Sequence, residues 1–314
     1  MRLRNIDLFK GLLIILVILG HMLQGEIGET IWRKTIYSFH MPLFIGICGF
    51  LYNSKKTFNL SISGLFKKYL FRIILPWIIA VIGYYVLFLY QDTNINFISS
   101  FVNAFIDPYY HLWFVPAFLS WVILTWILRK AKANNVVLLI IGLLISIISI
   151  LLIKEPKLYQ NKTIALILNT YRPYYYIFFI LGLLYKDLKL KRPNRLEFLL
   201  PLILFGLVIY LFYFPNEIVA FINYFVFNTL LLNLILKMST NNLAPNNKVL
   251  EWIGINSVGI YLWHMIPIIV CNHLIGTENL LLFYLAVIVL EIIFMIIYRM
   301  LSKVSVLRKY AFGM

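Results

Sequence analysis

The sequence predicts an all-α fold: a polytopic membrane helical bundle of about ten transmembrane helices, with both termini cytoplasmic. Three observations carry that reading. Of 314 residues, 62% are hydrophobic and 13% are charged, and a soluble domain of that length cannot hide so much apolar surface. Apolar stretches of span length recur along the whole chain, separated by short polar connections. The basic residues then fall on alternate connections, as the positive-inside bias requires.

In chain order, the predicted spans cover 6–24, 36–53, 70–90, 111–129, 136–153, 166–186, 197–214, 217–237, 256–275 and 280–301. The first has no convincing small-residue cleavage site and is followed by further apolar segments, so it reads as a span rather than a signal peptide. The sixth starts in the polar run Thr170-Tyr171-Arg172-Pro173, and residues 95–107 read as a short, weakly amphipathic interfacial helix. No tandem repeat or low-complexity run appears, and one integral membrane domain is expected over 1–314 with no appended soluble domain. Cys48 and Cys271 lie in apolar segments and read as small core residues rather than metal or disulfide partners.

The formal charge of +16 is explained by topology rather than by nucleic acid. With the N-terminus inside, only Arg33, Lys34, Lys154, Lys157, Lys162 and Arg172 of the 28 basic residues fall on outer segments. Misplacing one span would reverse every later connection and destroy the pattern, so an even number of spans follows.

Asp7-Leu-Phe-Lys10-Gly11 through Gly20-His21 is the most informative stretch. Lys10 and His21 are eleven residues apart, roughly three turns, so both lie on nearly one helix face, with Asp7 beside that line. Their Cα atoms are ~16 Å apart along the axis, about half of a ~30 Å hydrocarbon core. Ionisable groups inside spans are usually functional, and a signal anchor with an interfacial histidine is the plainer alternative. His40 opens the second span, and His111 opens the fourth in His111-Leu112-Trp113. Ser257, Tyr261 and His264 share a face of the ninth. For His111 and His273 an interfacial place is expected, and Glu291 in the tenth span is expected to pair with a buried polar group. Lys67-Lys68-Tyr69-Leu70-Phe71-Arg72 lies at the inner end of the third span. Topology suffices for Lys67 and Lys68, whereas Arg72 sits a turn deeper in apolar sequence, where a guanidinium suits phosphate.

Taken in order, these motifs resemble the acyltransferase family 3 integral membrane proteins, with the fucose 4-O-acetylase-like branch nearest. The resemblance rests on Asp7-x-x-Lys10-Gly11 to Gly20-His21, on Phe39-His40-Met41-Pro42-Leu43-Phe44 with Gly49-Phe50-Leu51, and on Arg72-x-x-x-Pro76. It continues through Leu112-Trp113-Phe114 and Asn256-Ser257-x-x-Ile260-Tyr261-Leu262-Trp263-His264, and so covers nearly the whole chain. The family motif of a basic residue, ten residues and a histidine maps onto Lys10 and His21. A second motif, two arginines at three-residue spacing, is met only by Arg72, with Tyr69 at the partner position and Lys68 beside it.

The resemblance implies transfer of acetyl from cytoplasmic acetyl-CoA to a hydroxyl of an extracytoplasmic or lipid-linked carbohydrate, in a multi-pass protein of the bacterial cytoplasmic membrane. It implies no metal and no nucleic acid. Under it, His21, His40, Lys10 and Asp7 are the expected catalytic residues. Arg72 and Lys68 are expected to bind the CoA phosphates, and Trp113, Tyr261 and His264 the acceptor. His21 either removes the hydroxyl proton or carries the acetyl group briefly. His40 and Tyr261 are both candidates to orient it. The alternative is a transporter or flippase for a lipid-linked sugar or acyl carrier. Inverted repeats and matched broken helices, which would favour it, are not evident in the sequence.

Overall fold

The computed structural model describes residues 3–25, 29–91, 97–109, 111–188 and 190–314. Arg2, Lys189, residues 26–28 of the first outer connection and 95–96 of the expected interfacial helix lie outside the described residues. The described chain is helical, with no strand among the described residues. Its helices are α1 Arg4–Met22, α2 Ile31–Tyr37, α3 His40–Leu51, α4 Ser54–Phe58, α5 Ile62–Tyr69, α6 Leu75–Gln91, α7 Phe97–Ile106, α8 Phe114–Lys130, α9 Asn135–Lys154 and α10 Pro156–Tyr159. They continue with α11 Lys162–Thr170, α12 Tyr176–Tyr185, α13 Arg195–Tyr213, α14 Glu217–Thr240, α15 Lys248–Ile255, α16 Ser257–Trp263, α17 Met265–Leu274, α18 Leu280–Leu301 and α19 Ser305–Tyr310.

Among the described residues, eight helical segments are long and apolar enough to cross a membrane, and they correspond to eight of the ten expected spans. The other two are present in altered form. The expected span at 111–129 is α8, which has 17 residues. The expected span at 166–186 is broken into α11 and α12, because Arg172 takes a left-handed conformation (φ 41°) before Pro173. The protein is thus an all-α, polytopic membrane protein. The third span starts at Ile62, earlier than its hydropathy predicts, because α5 runs through a π-helical turn, Leu70–Ile74, into α6.

The chain forms two compact units. The first comprises Met1–Tyr52 and Leu181–Arg299. Its tightest crossing is α1 on α15. A side chain at Gly11 would meet the carbonyl of Leu250, and one at Gly254 the carbonyl of Asp7. Paired glycines let helix backbones approach where lipid leaves no hydrophobic drive between them. Arg4 Nε reaches Glu251 Oε1 at 2.6 Å across the same pair of helices. Gly46 of α3 receives Leu232 of α14 and backs onto Gly182. Asn228 of α14 donates to the Ser38 carbonyl at 2.9 Å, tying α14 to the chain just before α3. Glu197 of α13, which also closes a capping box with Asn194, pairs with Lys237 of α14.

Glu291 differs from expectation. It lies on the buried stripe of α18 with Phe283, Val287 and Tyr298. Neither carboxylate oxygen has a hydrogen-bond partner among the described residues. Pairing needs a polar group on a facing helix, and the packing around this stripe brings none of the described residues into hydrogen-bond reach.

The second unit comprises Asn53–Ile180 and Met300–Met314. Pro76 has no N–H to return to the carbonyl of Arg72, which accounts for the irregular turn there. Gly313 (φ 69°) packs directly on that carbonyl, and Tyr310 meets Phe71 at 5.8 Å between ring centres. His111 is 1% exposed, its ring edge-on to Tyr84 at 5.7 Å. His273, by contrast, is exposed.

Candidate active site

In the first unit, α1 carries three of the predicted residues. Asp7 and Lys10 are one turn apart, and Lys10 Nζ donates to Asp7 Oδ1 at 3.3 Å. Both are mostly buried, so this pair closes one end of the helix stripe. His21, half-buried, stands at the other end.

Around His21 the structure gathers aromatic and imidazole rings from three segments. The His264 ring centre is 5.4 Å from that of His21, with the planes at 46°. Tyr37 of α2 lies edge-on to His21 at 6.3 Å and to His40 at 5.0 Å. Tyr261 stands 6.0 Å from His264. The close approach depends on Gly20, because a Cβ there would come within 3.0 Å of the Tyr37 ring.

Two of the three histidines are held by backbone. His40, 3% exposed, has Nδ1 2.6 Å from the Ile36 carbonyl; His264, 0% exposed, has Nδ1 2.8 Å from the Tyr261 carbonyl. Helix ends explain both. α2 stops at Tyr37 and α16 at Trp263, which leaves last-turn carbonyls short of helical donors, and a ring N–H takes one at each end. Ser257 and Tyr261 are buried with His264, as their spacing predicts.

The structure therefore brings together His21, His40, Tyr261 and His264, and places the Asp7–Lys10 pair at the far end of α1. Tyr37 was not foreseen. Its signal was its place three residues before His40, on the same side of the chain entering α3.

The remaining predicted residues belong to the second unit. Arg72 is exposed on the π-helical turn. Lys68 donates to Thr57 Oγ1 at 2.8 Å and lies over the Tyr69 ring at 5.2 Å. Trp113 is buried, with the Arg172 guanidinium 4.1 Å over its ring and Tyr175 stacked at 5.9 Å. No group of three or more His, Cys, Asp or Glu able to hold a metal occurs among the described residues.

Comparison with known proteins agrees with these motifs. Two curated relatives share short segments with the chain. The nodulation protein NolL of Sinorhizobium fredii is 52% identical over 52 residues, covering 14% of this chain and 14% of the relative. The nodulation protein NolL of Mesorhizobium japonicum is 48% identical over 54 residues, covering 15% of this chain and 14% of the relative. The chain thus matches only about one seventh of the length of either. No solved structure matches it. The acyltransferase domain of the acyltransferase 3 family, in contrast, matches residues 3–300, which takes in every helix of the candidate site. The chain is therefore a multi-pass membrane protein that belongs to the acyltransferase 3 family.

Proposed function

We propose that this acyltransferase moves an acetyl group from cytoplasmic acetyl-CoA to a hydroxyl of an extracytoplasmic or lipid-linked carbohydrate, in the bacterial cytoplasmic membrane and with both termini in the cytoplasm. The observation that carries the reading is His21, half-buried on a membrane-spanning helix, with His264 at 5.4 Å and Tyr37 at 6.3 Å between ring centres. The chain acts throughout as one integral membrane domain.

A sugar hydroxyl is a weak nucleophile, and imidazole is the side chain that takes and returns a proton near neutral pH. His21 accepts the hydroxyl proton as the oxygen attacks the thioester carbonyl carbon. The carbon–sulfur bond then breaks, and the imidazolium gives its proton to the leaving thiolate. Oxygen is acylated, sulfur is protonated, and the histidine is restored. His40 supports this ring cluster through Tyr37. The Asp7–Lys10 pair holds the opposite end of α1. Arg72 and Lys68 bind the phosphates of CoA, where a guanidinium offers a fork of donors and an ammonium a point charge. Tyr261 contributes aromatic surface to the acceptor.

The test is transfer from radiolabelled acetyl-CoA by purified protein. His21→Gln keeps a hydrogen-bonding group but accepts no proton, so transfer should fall by about 10²–10⁴-fold while acetyl-CoA binding persists. A His21→Gln rate near wild type would remove His21 as the base and move the search to His40 and His264.

A further inference from the structure

The second unit carries a basic face built from two segments far apart in the chain. Residues 53–76 hold five lysines or arginines and residues 300–314 hold three, and neither segment contains Asp or Glu. The positive-inside bias accounts for the bases, but it is nearly blind to acids and does not explain a face without counter-charge. The two segments meet at the π-helical turn. Gly313 packs on the Arg72 carbonyl, where a Cβ would overlap the oxygen, and its left-handed φ of 69° suits glycine. Phe312 is buried, and the Tyr310 ring centre is 5.8 Å from that of Phe71. Lys309 is thereby laid over Phe71, its Nζ 4.3 Å from the ring centre. Phe71 and Arg72 are neighbours, and both Arg72 and Lys309 are exposed. Lys68, in contrast, is half-buried and already spends one of its three N–H donors on Thr57.

We propose that Lys309, carried to the Arg72 turn by α19, binds a phosphate of the CoA donor. The inference rests on the reading of Arg72 as a CoA-binding residue and deepens it with a contact from a segment distant in the chain. CoA bears a diphosphate and a separate 3′-phosphate, about four negative charges in all at neutral pH. One guanidinium forks onto one phosphate and leaves the rest to other cations. An ammonium on a flexible stem is a point charge, and it meets a second phosphate without the geometric demands of the fork. The Phe71 ring beneath Lys309 steadies the ammonium without neutralising it, as a carboxylate would. Gly313 is a positioning residue in this arrangement, because its close approach to the Arg72 carbonyl fixes where the segment sits.

The test begins with the native protein in uncharged detergent. Surface lysines are reductively methylated with and without saturating CoA and read by mass spectrometry. CoA should protect Lys309 and leave Lys132, an exposed lysine of the same unit, unprotected. Pantetheine, which has the arm but no phosphate, should protect neither. No protection of Lys309 by CoA, or equal protection by pantetheine, overturns the proposal. Protection by phosphatidylglycerol but not by CoA makes the face a lipid head-group site and overturns it too. If the protein binds no CoA, the proposed donor falls as well. Kinetics provide the second arm. Lys309→Met keeps an apolar stem over Phe71 without the charge. It should raise the KM for acetyl-CoA about 3–10-fold, between the worth of an exposed ion pair and that of a charge-assisted hydrogen bond, with kcat little changed. Lys309→Arg should stay near wild type. Gly313→Ala keeps Lys309 but presses on the Arg72 carbonyl, and should raise the same KM. An unchanged KM in Gly313→Ala overturns its positioning role. If Lys309→Met matches wild type while Arg72→Ala has a raised KM, Lys309 is no donor contact and the proposed function stands. If neither variant changes the KM, the placing of CoA on this turn falls as well. A Lys309→Arg variant as impaired as Lys309→Met also overturns the proposal, because charge is then not what binds.

Discussion

Adding one methyl group at two helical glycines should change stability in opposite directions. Gly254 of α15 faces α1, and a Cβ there would overlap the Asp7 carbonyl and come within 2.9 Å of the Gly11 nitrogen. Both obstacles are backbone, so no side chain can swing aside. Gly206 of α13 has nothing within 4 Å of its would-be Cβ. Alanine in a helix interior is favoured over glycine by about 0.5–1 kcal/mol, which both variants gain. Overpacking a close contact costs about 1–3 kcal/mol, which Gly254→Ala alone incurs. Gly206→Ala should therefore stabilise by about 0.5–1 kcal/mol, and Gly254→Ala, whose Cβ meets backbone and so falls toward the costly end, should destabilise by up to about 2.5 kcal/mol. The displaced helix is α1, which carries Lys10 and His21, so Gly254→Ala should also slow acyl transfer. The assay is the fraction of monodisperse protein surviving a temperature series in detergent, followed by size exclusion, with transfer rate measured on the same samples. A shift of the same sign for both variants would refute the glycine crossing of α1 and α15.

Arg72→Ala should raise the apparent KM for acetyl-CoA while leaving expression intact, and Arg72→Lys should recover part of the loss, since lysine keeps the charge without the fork. An unchanged KM in well-expressed Arg72→Ala would reduce Arg72 to a topology charge. Both termini are expected in the cytoplasm. In a background lacking Cys48 and Cys271, an impermeant thiol reagent added to intact cells should label Trp32→Cys, at a position 72% exposed, and leave Lys303→Cys unlabelled. The reverse pattern would overturn the inside assignment of the basic connections.

Much of the architecture was legible in the sequence because single-helix properties are local. Span positions follow from runs of apolar residues, and the common stripe of Lys10 and His21 follows from 3.6 residues per turn, whatever packs against it. The break of the sixth span was signalled by Arg172-Pro173, since a proline restricts the residue before it. Family membership was legible for a related reason: the motifs occur in order along the chain, and order needs no third dimension.

Other features were decided only when distant segments met. His21 and His264 are 243 positions apart in the sequence, and nothing local to either predicts the 5.4 Å between their rings. Tyr37 joins that cluster because Gly20 lacks a side chain where α1 passes it. His111 is buried against Tyr84, which the sequence did not show, because hydropathy locates a residue along the span but not around the helix. Glu291 shows the same limit, since its depth was readable from sequence whereas its partners depend on the helices beside it. Sequence by itself determined which residues lie at which depth and on which stripe of their own helix. Tertiary structure decided which stripes face one another, because that depends on close packing between segments far apart in the chain.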